Sequence, residues 1–244
     1  MPTYWEDLNW AEFQKRVPAD FRTAIIPIGT VEAHGVGPLG TDNFIPIDVV
    51  NQIADDLAAL ICPPIHYGQV KGLAGIPGAI AVDESIFATY CASVFASIAE
   101  WGFEHLIVIN GHGGNTSSLK NAAWEVHAKT GIKLLVVDWW TLAGPVCEAV
   151  YGQAGGHAGC DENGYMQALR PETIHRDMMN DALIYNFAPG VSVYPYPGTI
   201  LTYKEGQGAP DFDDAKAHRY REGAIAKVRE FCRQTLDQWD ALGY

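Results

Sequence analysis

The chain has 244 residues, 48% hydrophobic and 18% charged, which describes a globular protein with a substantial core and excludes a disordered or low-complexity chain. Sixteen basic residues against twenty-nine acidic leave a formal net charge of -13 with no Lys/Arg cluster, so neither nucleic acid nor an anionic membrane surface is an expected partner. No apolar run approaches the roughly 18 residues that span a bilayer, the start Met1-Pro2-Thr3-Tyr4-Trp5-Glu6-Asp7 is unlike a signal peptide, and five scattered cysteines without CxxC spacing fit reduced thiols, so a cytoplasmic location is expected.

In chain order, residues 1–20 form a short helical lead-in with Trp5, Leu8, Trp10 and Phe13 as packing anchors. Residues 23–28 read as a buried strand. A polar loop follows, and Pro46 and Asp48 open a helix in which Val49, Val50, Ile53, Leu57 and Leu60 recur at helical spacing. Cys62-Pro63-Pro64-Ile65 is at most a short strand, because proline donates nothing to a ladder. A glycine-rich loop spans Gly68–Gly78. Residues 85–100 are predicted helical, with Ile86, Tyr90, Val94 and Ile98 near one face.

Leu106–Ile109 is a strand covered on both faces, followed by a helix over 117–128 that Gly131 stops; 133–137 is another buried strand. Phe187–Pro210, rich in Gly, Pro and Tyr, reads as an ordered loop or hairpin. A final helix runs over 213–239. Repeated strand–loop–helix alternation without a linker predicts one α/β domain over 1–244, three-layer α/β/α with a mostly parallel central sheet.

Three segments place polar residues just after strands. The first offers Glu32, His34 and Asp42, with Glu32 and His34 two apart and so on one side of an extended backbone. The second is Asn110-Gly111-His112-Gly113-Gly114-Asn115, whose glycines permit a tight turn beside the strand end. The third is Gly155-Gly156-His157-Ala158-Gly159-Cys160-Asp161-Glu162-Asn163. Carboxylates pooled this densely repel one another unless protonated or neutralised by a cation. Glu, His and Asp are ligands for divalent metals, and two metals bridged by one carboxylate would both neutralise the cluster and activate a water. Asp48, Asp138 and His127 lack such a setting and are assigned surface or capping roles. The Trp139-Trp140 pair is assigned to the core, and Cys160 to packing.

These segments resemble the creatininase family of metal-dependent amidohydrolases over most of the chain. The family pattern P-x-G-S/T-x-E-Q-H-G, a short spacer and T-D reads here as Pro27 to Gly35, with Ala33 where the pattern has Gln, and Thr41-Asp42. N-G-H-G-G-N is intact at 110–115, and H-A-G-x-x-E stands as His157 to Glu162. Gly206-Gln207-Gly208-Ala209-Pro210 is similar to a weaker glycine-proline element.

The resemblance implies that Asp42 bridges two divalent metals, with Glu32 and His112 completing one site and His34 the other. Creatinine-cleaving members carry a ligating Glu two residues after the histidine matching His112. Gly114 stands there, so Glu162 is the implied replacement, as ligand or as acid/base, and His157 the implied catalytic proton shuttle. Zinc is the default metal, with manganese or iron as alternatives. A homohexamer is also implied.

The departures concern substrate. The usual H-G-P-H-L-P reads His34 to Leu39 without its second histidine, and Tyr67 to Leu73 lacks the family's Ser, Glu and His. The lid tryptophan has no counterpart near Gln153, while Trp140 matches the other substrate-facing tryptophan; His66 and Lys71 are further substrate-facing candidates. These changes point away from creatinine. The expected activity is hydrolysis of a C–N bond in a small, cyclic amide. The alternatives are opening of a polyhydroxylated cyclic ketone at a C–C bond and trimming of a small peptide.

Overall fold

The computed structural model describes residues 2–188, 190–202 and 208–244; Gly206 and Gln207 of the glycine-proline element lie outside them. Strands β1 (Thr23–Ile28), β2 (Ala59–Ile61), β3 (His105–Asn110) and β4 (Lys133–Asp138) form a parallel sheet of order β2-β1-β3-β4. Ile28 pairs with Asn110 and Asn110 with Asp138, so β1, β3 and β4 end level. From β1 the chain crosses to β2 on one side and then to β3 on the other. The gap beyond the carboxyl ends of β1 and β3 is therefore the topological switch point, where open α/β sheets bind ligands.

Alternation along the strands builds the two helix layers. Ala24, Ile26, Ile28, Leu106 and Val108 pack against α3 (Glu84–Glu100) and α4 (Thr116–Thr130). Ile25, Ile107 and Ile109 face the opposite way, onto α2 (Thr41–Ile53), α7 (Glu162–Leu169) and α8 (Asp214–Leu242). Both cores are continuous, giving the expected α/β/α layers. The short α1 (Trp10–Arg16) starts with a capping box in which Asn9 and Glu12 satisfy each other's backbone N–H groups. The short α5 (Trp139–Leu142) and α6 (Gly144–Tyr151) connect β4 to the His157 segment. Gly131 ends α4 at φ 79° and Asp213 caps α8, as expected. No helix among the described residues is long and apolar enough to cross a membrane.

Several boundaries differ from the sequence reading. α2 starts at Thr41, five residues before Pro46, and stops at Ile53, so Leu60 belongs to β2. The Gly-, Pro- and Tyr-rich excursion contains no hairpin among its described residues; β5 (Ile184–Asn186) and β6 (Ile200–Thr202) pair in parallel. On α3 the core-facing residues are Phe87, Cys91, Phe95 and Ile98, while Ile86 and Tyr90 face outward. Trp139 is fully buried, edge-on to Tyr165, and Trp140 is partly buried against the same core while also lining a cavity.

Asp48 is a correction of substance. It is buried, accepts hydrogen bonds from Tyr165 Oη (2.8 Å), Arg221 Nε (2.8 Å) and Arg221 Nη2 (2.7 Å), and so joins α2, α7 and α8. Removing one partner of a fully buried pair costs roughly 3–5 kcal/mol. Arg221 keeps 22% of its side chain exposed, which reduces the cost. Asp48→Ala is expected to lower unfolding free energy by about 2 kcal/mol in urea titrations, without changing metal content.

Candidate metal centre

Asp42 sits in the first turn of α2, at the switch point, and its backbone placement rests on three other residues. Pro46 has no N–H, so the Asp42 carbonyl four residues earlier has no helical donor. That carbonyl oxygen lies against the Cα atoms of Gly29 and Gly111, at the ends of β1 and β3, where a Cβ on either would collide with it. Only glycine lets the two strand ends close around the helix start.

The Asp42 carboxylate is 1% exposed and faces a different group of residues with each oxygen. Oδ1 lies 2.8 Å from His34 Nε2, which is itself 3.6 Å from Glu162 Oε2. Oδ2 lies 2.9 Å from His112 Nδ1, which is 3.2 Å from Glu32 Oε1. Ligand atoms of Glu32, Asp42 and His112 fall within 4.8 Å of one another, as do those of His34, Asp42 and Glu162. Asp42 Oδ2 is buried and makes no hydrogen bond despite its closeness to His112. A buried carboxylate oxygen whose neighbouring imidazole nitrogen is not aligned to donate leaves lone pairs that a cation can take up. The donor set of imidazole nitrogens and carboxylate oxygens fits a divalent metal.

Backbone contacts fix how each imidazole is presented. His34 Nδ1 lies 3.0 Å from Glu32 O and His157 Nε2 lies 2.7 Å from Ala33 O. A carbonyl only accepts, so these nitrogens carry the protons, and the opposite nitrogens face the cluster with free lone pairs when neutral. Asn110 donates to His112 O (2.9 Å) and to Asp138 Oδ1 (2.8 Å) and accepts from His112 N (3.1 Å), which sets the turn. Asn115 donates to Gly29 O (3.1 Å) and accepts from Gln69 N (3.0 Å), which ties three loops together. Ala158 adopts a left-handed φ of 55°, and its N–H donates to Glu162 Oε2 at 2.6 Å. A Cβ on Gly114 would collide with the His112 ring. Glycine at 114 thus accompanies the inward pose of His112.

Burial is the largest influence on His34, Asp42, His112, His157 and Glu162. It depresses His34, but the Asp42 carboxylate overrides it and raises the imidazole to about 10. It likewise depresses His112, but Glu32 and Asp42 hold that group well above its ordinary value. Burial would raise Asp42, yet the two histidines keep it below the usual carboxylate range. For His157 burial and the neighbouring His34 act together and push it down to about 4. Burial lifts Glu162 well above its ordinary value, with His34 opposing and Asp42 adding. Without a metal, protons on His34 and His112 offset the carboxylates, and a dication would take over that role.

A cavity of about 490 Å³ opens over this cluster. Glu32, His112, His157 and Glu162 line its floor. Trp140, Phe187, Tyr194 and Tyr196 line its walls, with Lys71 and Asp161 also present. His66 is exposed and does not line the cavity; its backbone carbonyl accepts from Asn43. Lys71 pairs with Glu84 at 2.7 Å. Cys160 is buried, 3.7 Å from Cys147 Sγ, as a packing residue would be. His127 serves a backbone carbonyl, and Asp138 holds Asn110 and Thr116. Trp140 was named from the sequence, while Phe187, Tyr194 and Tyr196 escaped that reading, although Tyr194 and Tyr196, two apart in an extended Tyr/Pro stretch, were a usable signal. A groove of about 590 Å³ along α4 and β4 contains none of the cluster's ligands.

Comparison with known proteins agrees with this geometry. Residues 6–231 match the family described as "Creatininase: Creatinine amidohydrolase". The creatinine amidohydrolase of Pseudomonas putida is 26% identical over 224 residues, covering 81% of this chain and 86% of that protein. The 3-dehydro-scyllo-inosose hydrolase of Thermotoga maritima is 36% identical over 112 residues, 45% of this chain and 36% of that one. Among solved structures, a Zn–Zn type creatininase superposes with a TM-score of 0.81 at 22% identity, covering 96% of this chain and 98% of its own. With the family match spanning nearly the whole sequence, the chain belongs to the creatininase family and is a metal-dependent hydrolase.

Proposed function

We propose that the cluster holds two divalent metals, one by Glu32, Asp42 and His112 and the other by His34, Asp42 and Glu162, with Asp42 as the bridge. The two differently surrounded oxygens of Asp42 carry this reading. His157 also approaches Glu32, at 3.5 Å, and Glu162, at 3.9 Å. With 16% of its side chain exposed, the most in the cluster, His157 opens to the cavity, which suits a proton carrier better than a ligand. Zinc is the favoured ion, with manganese or iron as alternatives.

The metals, when bound, polarise a carbonyl and lower the pKa of an attacking water. His157, neutral at pH 7 with its Nδ1 lone pair facing the floor, accepts a proton from that water and delivers it to the leaving atom. Its Nε2–H bond to Ala33 O keeps the ring aimed throughout. Glu162, fixed by the Ala158 N–H, holds its position at the opposite side of the floor.

The substrate class favoured is a small, planar cyclic amide or imide cleaved at C–N. Trp140, Phe187, Tyr194 and Tyr196 offer ring faces to a flat molecule. The second reading, C–C cleavage of a polyhydroxylated cyclic ketone, draws on the 36% identity to the inosose hydrolase. A cytoplasmic homohexamer completes the proposal, and the five free cysteines agree with the location.

Purified protein is expected to contain about two divalent ions per chain by elemental analysis, and to turn over cyclic amides faster than keto-inositols or short peptides. Chelation is expected to abolish turnover, and added zinc or manganese to restore it. Full activity after complete metal removal would overturn the reading, and preference for keto-inositols would replace the substrate class.

A further inference from the structure

The groove along α4 and β4 differs from the rest of the surface in what lines it. Lys120, Trp124 and His127 form one stripe of α4, at spacings of four and three. Leu134 and Val136, on one face of β4, supply an apolar floor, and Trp239 and Tyr244 close the side toward the end of α8. No Asp or Glu side chain lines the groove, although acidic residues outnumber basic ones by twenty-nine to sixteen. In a chain of net charge -13, such a lining singles out one place that favours anions.

The two lysines are differently placed. Lys120 pairs with Asp138 at 3.5 Å and keeps 59% of its side chain exposed, a weak contact. Lys133, partly buried at the start of β4, makes no ion pair among the described residues. Glu104 lies within its electrostatic reach but is held by two nitrogens of Arg22. A partly buried ammonium without a counter-charge is a ready anchor for a ligand's acid group.

The rings are available too. Trp124 is 72% exposed and Tyr244 68%. One face of Trp239 is taken by the parallel ring of His105, at 5.4 Å, and the indole still lines the groove. His127 donates its Nδ1 proton to Ile132 O at 2.8 Å, so in the neutral ring Nε2 keeps a lone pair for a donor.

We propose that this groove binds a small aromatic carboxylate, its acid group on Lys133, its ring against Trp124, Trp239 and Tyr244, and a ring N–H or O–H on His127. Charge, shape and size select this occupant. A cation finds no Asp or Glu side chain in the lining, and an aliphatic anion leaves the aromatic faces in water. A polyanion such as nucleic acid is repelled by the acidic surface beyond the groove. About 590 Å³ is ample for one or two fused rings and falls within the usual range of ligand sites.

The groove's anchor is remote from the metal centre. Lys133 begins β4, and Asp138 ends it level with Ile28 and Asn110, the strand ends that precede the metal ligands. The strand between Lys133 and Asp138 spans about 16 Å. Occupancy therefore leaves the catalytic cavity open, whichever bond the enzyme cleaves.

Isothermal titration of the metal-loaded full chain is expected to show indole-3-acetate binding at least ~10-fold tighter than tryptamine or cyclohexylacetate. Lys133→Met is expected to weaken indole-3-acetate about tenfold and Trp124→Ala about fivefold, with metal content unchanged. A carboxylate can also ligate a metal, so the titration is repeated after chelation, where binding is expected to persist. Equal affinity for the three probes, an unchanged affinity in either variant, or binding that disappears with the metals would each overturn the proposal. So would an altered sedimentation mass in Trp124→Ala, because a second copy would then cover the groove. Should one variant fail to fold, the other decides.

Discussion

Asp42→Ala is expected to reduce metal content from about two ions per chain to nearly none and to lower kcat/KM at least ~10⁴-fold, equivalent to about 5.5 kcal/mol of transition-state stabilisation. The reason is that neither half-site is complete without it. His112 and Glu32 lie 3.2 Å apart on one side, His34 and Glu162 3.6 Å apart on the other, and Asp42 reaches each pair with a different oxygen, at 2.9 and 2.8 Å. Asp42→Asn keeps the shape and removes the charge, so it separates packing from ligation: it should lose metal while keeping the fold. Elemental analysis and thermal melts of both variants check this. A variant that keeps one tightly bound ion and substantial turnover would refute the bridge.

His157→Ala is expected to lower kcat ~10²–10⁴-fold, the usual weight of a general acid–base group, with metal content unchanged. Two readouts distinguish proton transfer from mere support: rescue by added imidazole, and a smaller loss for substrates whose leaving group is already acidic. The pH dependence has a definite sign. Burial and His34 push the folded pKa down to about 4, below the free value, so the neutral base is present above that pH and lost as pH falls through it. A nearby cation disfavours the imidazolium further, so the acidic limb attributable to His157 belongs at or below about pH 4. An acid limb near 7 that vanishes in His157→Ala would contradict this.

Glu32, His34 and His112 were legible as candidate ligands because each lies in a short glycine-flanked segment after a strand, and strand ends in parallel sheets converge, whereas the His157 segment follows α6. Glu32, His34, Asp42, His112, His157 and Glu162 all converge in one cluster, and Glu32, His112, His157 and Glu162 line the cavity floor. What the sequence hid has physical causes. Asp48 finds its partners 117 and 173 positions away, beyond any local pattern. Pro46 looked like a helix start because proline favours the first turn, yet here it lies inside α2 and frees a carbonyl instead. α3 is neutral on both sides, so periodicity could not choose which stripe faces the core. Phe187, Tyr194 and Tyr196 of the aromatic wall lie between β5 and β6, whose parallel pairing sets Ile184 against Ile200, a non-local arrangement without a turn signature.

One of those pairings ties access to chemistry. The Leu201 N–H bonds to the His157 carbonyl at 2.7 Å, and the segment preceding β6 carries Tyr194 and Tyr196, with the Tyr196 N–H bonded to Gly72 O at 3.0 Å. The doorway and the proton carrier therefore hang on one frame. A substrate too bulky to seat beneath the tyrosines would also drag the imidazole off its line, so such molecules would be penalised in turnover number as much as in affinity. Selectivity of that kind is enforced after entry, by spoiling the reaction itself, and it would persist at saturating concentrations of the wrong molecule.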